Sequence, residues 1–184
     1  MFIAHLWIPI VVSAVLVFIA SSIVHMVVKW HQGDYRGFAN EDAVRSAMGS
    51  ATTAPGEYFV PYCSDMKAMA TPEMQRKFIE GPVALVTVRA AAAPGMGKPL
   101  ALWFVYILAV SVIAAYVAGK AIPATAAFGT LWAVAGTVAF VAYAGGSVQS
   151  GIWWGKPWGS VAKDVIDGLI YGLITGATFA WLWR

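Results

Sequence analysis

The first 28 residues contain no Lys, Arg, Asp or Glu, and so long a run without charge has few ways to fold in water. The hydrocarbon core of a bilayer is about 30 Å thick. At about 1.5 Å of rise per residue, a crossing helix needs about 20 mostly apolar residues. Residues 6–28 meet that length and end at Lys29. Three later segments repeat the pattern: 100–119 between Lys98 and Lys120, then 126–148, then 165–183, which Asp167 interrupts early. Pro9 falls in the first turns of the first span, where its missing N–H does least harm. The lack of a basic stretch before the run, together with its length, predicts a permanent first helix and not a cleaved leader.

Composition agrees. Charged residues make up 11% of the 184-residue chain and hydrophobic residues 60%, whereas a soluble domain carries about 25% charge. Nine Trp, seven Tyr and nine Phe suit a chain that meets two membrane interfaces. The expected fold class is an all-α membrane protein of four transmembrane helices forming one membrane domain, with a small cap in the 29–99 segment between the first and second. The expected partners are the lipid bilayer and other membrane protein subunits. A net charge of +3 gives no ground for nucleic-acid binding, and nothing in the sequence names a cofactor. The single cysteine, Cys63, excludes an internal disulfide.

The 29–99 segment holds most of the charge. Asn40 reads as the cap of a short helix over 41–48, and Thr71-Pro72-Glu73 as the cap and first turn of another ending near Gly81. The β-branched run 83–88 fits a short strand or an interfacial segment. The stretch from Pro55 to Cys63 has the look of a binding or packing hairpin. Loop 149–164 carries Trp153, Trp154 and Trp158 as expected interfacial anchors, with Lys156 and Lys163 reaching toward headgroups. Lys29, Arg36, Arg45, Lys67, Arg76, Lys77, Arg89, Lys98, Lys156 and Lys163 fall on one side of the four spans, and only Lys120 and Arg184 on the other. The positive-inside bias then places the 29–99 loop in the cytoplasm and both termini outside.

Few residues suggest chemistry. Asp167 is an acid inside an apolar run, expensive enough to count as a functional candidate. Its bland reading is structural: Asp164 and Asp167 are spaced as N-cap and N3 of the fourth helix, where carboxylates meet free N–H groups. Ser21, His25 and Lys29 recur every four residues and predict one polar stripe on the first helix. His25 and Asp167 lie at similar depth from the same face, so Ser21, His25 and Asp167 form a candidate intramembrane polar cluster. His25, His31 and Asp34 make a weak metal set, because His31 and Asp34 share a face only if a helix runs past Gly33. No catalytic set and no metal signature is assigned. Gly168, Gly172 and Gly176, continued by Ala180, leave one face of the fourth helix almost without side chains, which predicts close packing of another helix.

Taken together, Pro55-Gly56-x-Tyr58-x-x-Pro61, Met96-Gly97-Lys98, Leu102-Trp103-Phe104-x-Tyr106, Lys163-x-x-x-Asp167-Gly-Leu-x-Tyr171 and the Trp181-Leu-Trp183 ending resemble a family of small, functionally uncharacterised bacterial four-helix integral membrane proteins. The resemblance covers most of the chain and implies an inner-membrane location, but no activity. Among function classes, an accessory or scaffold subunit of a larger membrane assembly ranks first, because packing features outnumber chemical ones. A small transporter or channel ranks second and a membrane enzyme third.

Overall fold

The computed structural model describes residues 5–51, 54–123 and 125–183. Ala124, in the connection between the second and third spans, and the C-terminal Arg184 of the charge count lie outside them. Two compact units emerge: residues 37–94, and the remainder of the chain on either side.

The larger unit is a four-helix bundle. Helix α1, Trp7–Ser22, continues as a π-helical segment, Ile23–Val28, and a 3₁₀ turn follows at Trp30–Asp34. The other three long helices are α5 (Gly97–Ala121), α6 (Phe128–Trp154) and α7 (Trp158–Leu182). All four are long and apolar enough to cross a membrane, and the protein is a multi-pass membrane protein. Their outward faces show Ile8, Val11, Leu16, Ile113, Val141 and Leu173, each more than 40% exposed. Such a surface is stable against lipid tails and costly against water.

Two boundaries differ from the sequence reading. The third span runs on to Trp154 and the fourth begins at Trp158, so most of the expected 149–164 loop is helical and only a short turn at Gly155–Pro157 remains. Gly155 takes the left-handed conformation that ends α6. Trp153, Trp154 and Trp158 flank this turn, all more than half exposed. The cap assignment for Asp164 and Asp167 is therefore overturned. The N-cap position of α7 is Pro157, and both acids lie well inside the helix.

The core is small-residue packing. Ala14, Val17, Ile107, Ala114, Ala115, Ala135, Ala139 and Phe179 are fully buried. Ser13 donates to Ser111 at 3.0 Å across α1 and α5. The glycine row of α7 meets α6 of the same chain. A Cβ added at Gly168 would stand 2.8 Å from the Ala144 Cβ, one at Gly172 2.8 Å from the Gly136 carbonyl oxygen, and one at Gly176 2.5 Å from the Trp132 carbonyl oxygen.

The smaller unit contains α2 (Glu41–Ala51), β1 (Gly56–Val60), α3 (Met66–Met69), α4 (Pro72–Glu80) and β2 (Ala84–Val88). Asn40 Oδ1 accepts from Ala43 N–H at 3.1 Å, and Thr71 Oγ1 from Met74 N–H at 3.4 Å, so both caps form. The strands pair antiparallel, Gly56 opposite Val88 and Val60 opposite Ala84. This ribbon is the one departure from an all-helical chain among the described residues.

Candidate functional site

The polar residues of the bundle gather at one end, and local backbone geometry puts them there. The π segment closes with Lys29 N–H donating to the Val24 carbonyl at 3.0 Å, five residues back. Lys29 then adopts φ 57°, the only positive φ at a non-glycine position among the described residues. A left-handed residue reverses the chain sharply, and the 3₁₀ turn that follows carries the backbone past Gly33 to Asp34. This corrects two expectations. The Ser21–His25–Lys29 stripe breaks after His25, and His31 and Asp34 share a face because a tighter helix, not an α-helix, spans Gly33.

The reversal stacks the His31 ring on that of His25, centroids 4.9 Å apart and planes within 5°. His31 lies between two carboxylates. Its Nδ1 is 2.8 Å from Asp34 Oδ2 and its Nε2 is 2.9 Å from Asp167 Oδ2. Carboxylates accept and do not donate, so this pairing needs two protons among three groups. His25 Nε2 stands 3.8 Å from the same Asp167 oxygen, and His25 Nδ1 is 2.9 Å from the Ser21 carbonyl. Lys163 of α7 completes the network, donating to Asp34 Oδ1 at 2.6 Å and to the Trp30 carbonyl at 2.7 Å. Lys156 pairs with Asp164 beside it.

Of the three residues expected to cluster, His25 and Asp167 do approach. Ser21 takes part through its backbone, while its hydroxyl donates to Phe18 and accepts from Trp103 Nε1 at 2.9 Å. The sequence reading missed Lys163 as a partner and set His31 and Asp34 aside. A signal was available: in a chain with 11% charge, His31 and Asp34 three apart and Lys163 and Asp167 four apart are complementary sets at corresponding ends of two spans.

Asp167 is 5% exposed. Its Oδ1 has no partner, and neither do the buried Tyr171 hydroxyl, Tyr143 hydroxyl and Trp30 indole N–H. Each unsatisfied buried polar atom costs about 1–3 kcal/mol. Asp167, Tyr143 and Tyr171 line an open chamber of about 460 Å³, together with His25, Trp103 and Ser147. Its aromatic wall is continuous: Tyr143 meets Tyr171 edge-on at 5.4 Å, and Trp103 lies 6.1 Å from Tyr143 and 6.3 Å from Tyr171. An apolar wall with a few convergent polar atoms is the usual make-up of a small-ligand site.

The hydrogen bond from Lys163, with further bonds from His31 and Ser160, holds the Asp34 carboxyl down from its ordinary 3.8 to about 2, against the opposing effect of burial. A carboxyl more acidic in the folded state contributes stability above the unfolded value, and that stability is lost as pH falls through the folded one. Thermal stability should therefore drop between pH 3.8 and about 2, and in Lys163→Met that acid-side drop should flatten. An unchanged pH profile in Lys163→Met would show that Lys163 does not govern Asp34.

Comparison with protein-family models, with curated proteins and with solved structures finds no match for this chain.

Proposed function

We propose that the protein is a bacterial inner-membrane subunit of a larger assembly, and that it holds a small polar ligand in the chamber at the cytoplasmic end of its bundle without conducting solutes across. The observation that carries this reading is the one-sided distribution of polar groups. His25, His31, Asp34, Lys163 and Asp167 concentrate at one end. Deeper in the bundle, Ser13, Ser111, Thr175 and Thr178 are at most 4% exposed, and their hydroxyls bond to each other or to their own helices. A conduit needs polar groups or water along its whole length, and such a chain of groups is not found among the described residues.

Two measurements test the reading. Liposomes containing the purified protein should leak protons and small ions no faster than protein-free liposomes, and mild-detergent extracts of the native membrane should retain a partner at fixed stoichiometry. Specific flux above the protein-free control favours the transporter reading instead. A protein that always isolates alone removes the assembly role.

The Lys/Arg asymmetry and the family resemblance support the inner-membrane placement, with residues 29–99 in the cytoplasm and both termini in the periplasm. In a Cys63→Ser background, a cysteine at Ser50 should resist an impermeant thiol reagent in intact cells, and one appended after Arg184 should react. The reverse pattern would invert the topology.

A further inference from the structure

We propose that His25, His31 and Asp167 bind one first-row divalent transition metal ion, of the zinc or ferrous class, beside the chamber. The proposal rests on the reading of the chamber as the working site and names the ion that would anchor a ligand there. The three residues each offer one ligand atom, and these atoms all lie within 4.8 Å of one another. Ligand atoms about 2.1 Å from a shared ion, at tetrahedral angles, lie about 3.4 Å apart. The 2.9 Å from His31 Nε2 to Asp167 Oδ2 and the 3.8 Å from His25 Nε2 to the same oxygen bracket that spacing.

The proton arrangement of the rings argues for metal more strongly than the distances do. A histidine that ligates a metal nearly always donates its other N–H to a carboxylate or a backbone carbonyl. Both histidines have such a partner. The Ser21 carbonyl only accepts, so His25 Nδ1 carries a proton and the neutral ring presents a lone pair at Nε2. His31 Nδ1 donates to Asp34, which Lys163 holds in place. Both Nε2 atoms therefore face the Asp167 carboxylate. Asp167 is more than nine-tenths buried, and its Oδ1 has no partner.

The rival is a plain hydrogen-bonded tie. It uses His31 alone, since 3.8 Å is too long for a hydrogen bond from His25. An ion engages all three residues. Two imidazoles and one carboxylate suit zinc or ferrous ion, whereas magnesium and calcium take oxygen ligands. Stacked rings cannot both aim their in-plane lone pairs at one ion, so one must tilt. His25 has the freedom, with its side chain 51% exposed against 17% for His31. The contact between His31 Nε2 and Asp167 holds one proton on one side or the other, and an ion taking its place releases that proton to solvent.

The test uses the full chain in detergent, without a polyhistidine tag, stripped with chelator and titrated with ZnCl₂ and separately with CoCl₂ as a spectroscopic probe. Bound metal is measured by elemental analysis and cobalt absorbance, and helix content by circular dichroism. The expected result is one ion per chain, with proton release. His25→Ala, at a half-exposed position, should keep its helix content and lose most of its affinity. Asp34→Asn, which touches no ion, should weaken binding about 10–100-fold. Absence of uptake by a folded wild type overturns the proposal, as does equal uptake by folded His25→Ala. Either result leaves the flux and partner measurements unaffected, so the broader reading stands or falls separately.

Discussion

Gly172→Leu is expected to prevent the bundle from forming in detergent. At this position even a Cβ would stand 2.8 Å from the Gly136 carbonyl oxygen and 3.0–3.1 Å from the Cβ and N of Phe140. Two of those three atoms are backbone of α6, which cannot swing aside as a side-chain end does. In lipid there is little hydrophobic drive between helices, so α6 and α7 hold together largely through van der Waals contact along this seam. Overpacking of a core usually costs about 1–3 kcal/mol. A leucine wedged between two backbones exceeds the top of that range and becomes a large part of a total stability of about 5–15 kcal/mol. Gly146→Leu is the control, since nothing stands within 4 Å of the Cβ it would add. Thermal unfolding followed by circular dichroism should show Gly146→Leu near wild type and Gly172→Leu lost. Equal melting of the two would mean that the glycine seam is not what holds α6 to α7.

The second large effect is expected at Asp167, and its size should depend on the replacement. Asp167→Leu removes the carboxylate between His25 and His31 and leaves His31 Nε2 facing an alkyl group. Breaking a buried pair from one side costs about 3–5 kcal/mol. Here the loss should sit near the low end, because His31 Nδ1 keeps its contact with Asp34. Asp167→Asn keeps the shape and an oxygen that still accepts from His31, so most of the stability should survive. The prediction is a clear ordering of melting temperature, wild type then Asn then Leu, measured at neutral pH. A leucine variant as stable as wild type would make the network around His31 dispensable to the fold.

Much of this architecture was legible from hydropathy. A bilayer-length apolar run has one physical solution, a helix satisfying its own backbone, and all four spans were found. The first span was placed within a residue of Trp7–Val28, but the turn between the third and fourth was misplaced, and Lys163 shows why. A lysine beside an aspartate, six residues after a proline, reads as a solvated loop. In the folded chain both charges are neutralised by Asp34 and Lys156, and with charge cancelled the helix extends back to Trp158. The reach of a polar helix end is thus set by partners on other elements, which local pattern does not reveal. The hairpin expected within Pro55–Cys63 does not form: Gly56–Val60 is a single strand whose partner, Ala84–Val88, is non-local and so not legible from the turn residues. The site was half legible for the same reason. His25 and Asp167 were traceable by depth, whereas His31 depended on a backbone reversal at Lys29 that no propensity scale assigns to lysine.

The π segment fixes the angular phase between α1 and the turn that follows the first span. One additional residue per turn advances every following side chain by about 100° relative to an uninterrupted α-helix. Deleting a single residue from Ile23–Val28 would leave the apolar membrane stretch nearly as long, and the seam between α6 and α7 untouched. It would also change the phase at which the chain enters Lys29 and spoil the reversal that stacks His31 on His25. The first span thus behaves as a key with a rigid shaft and an indexed tip: its hydrophobicity seats it in the bilayer, and one surplus residue sets which way the imidazoles point.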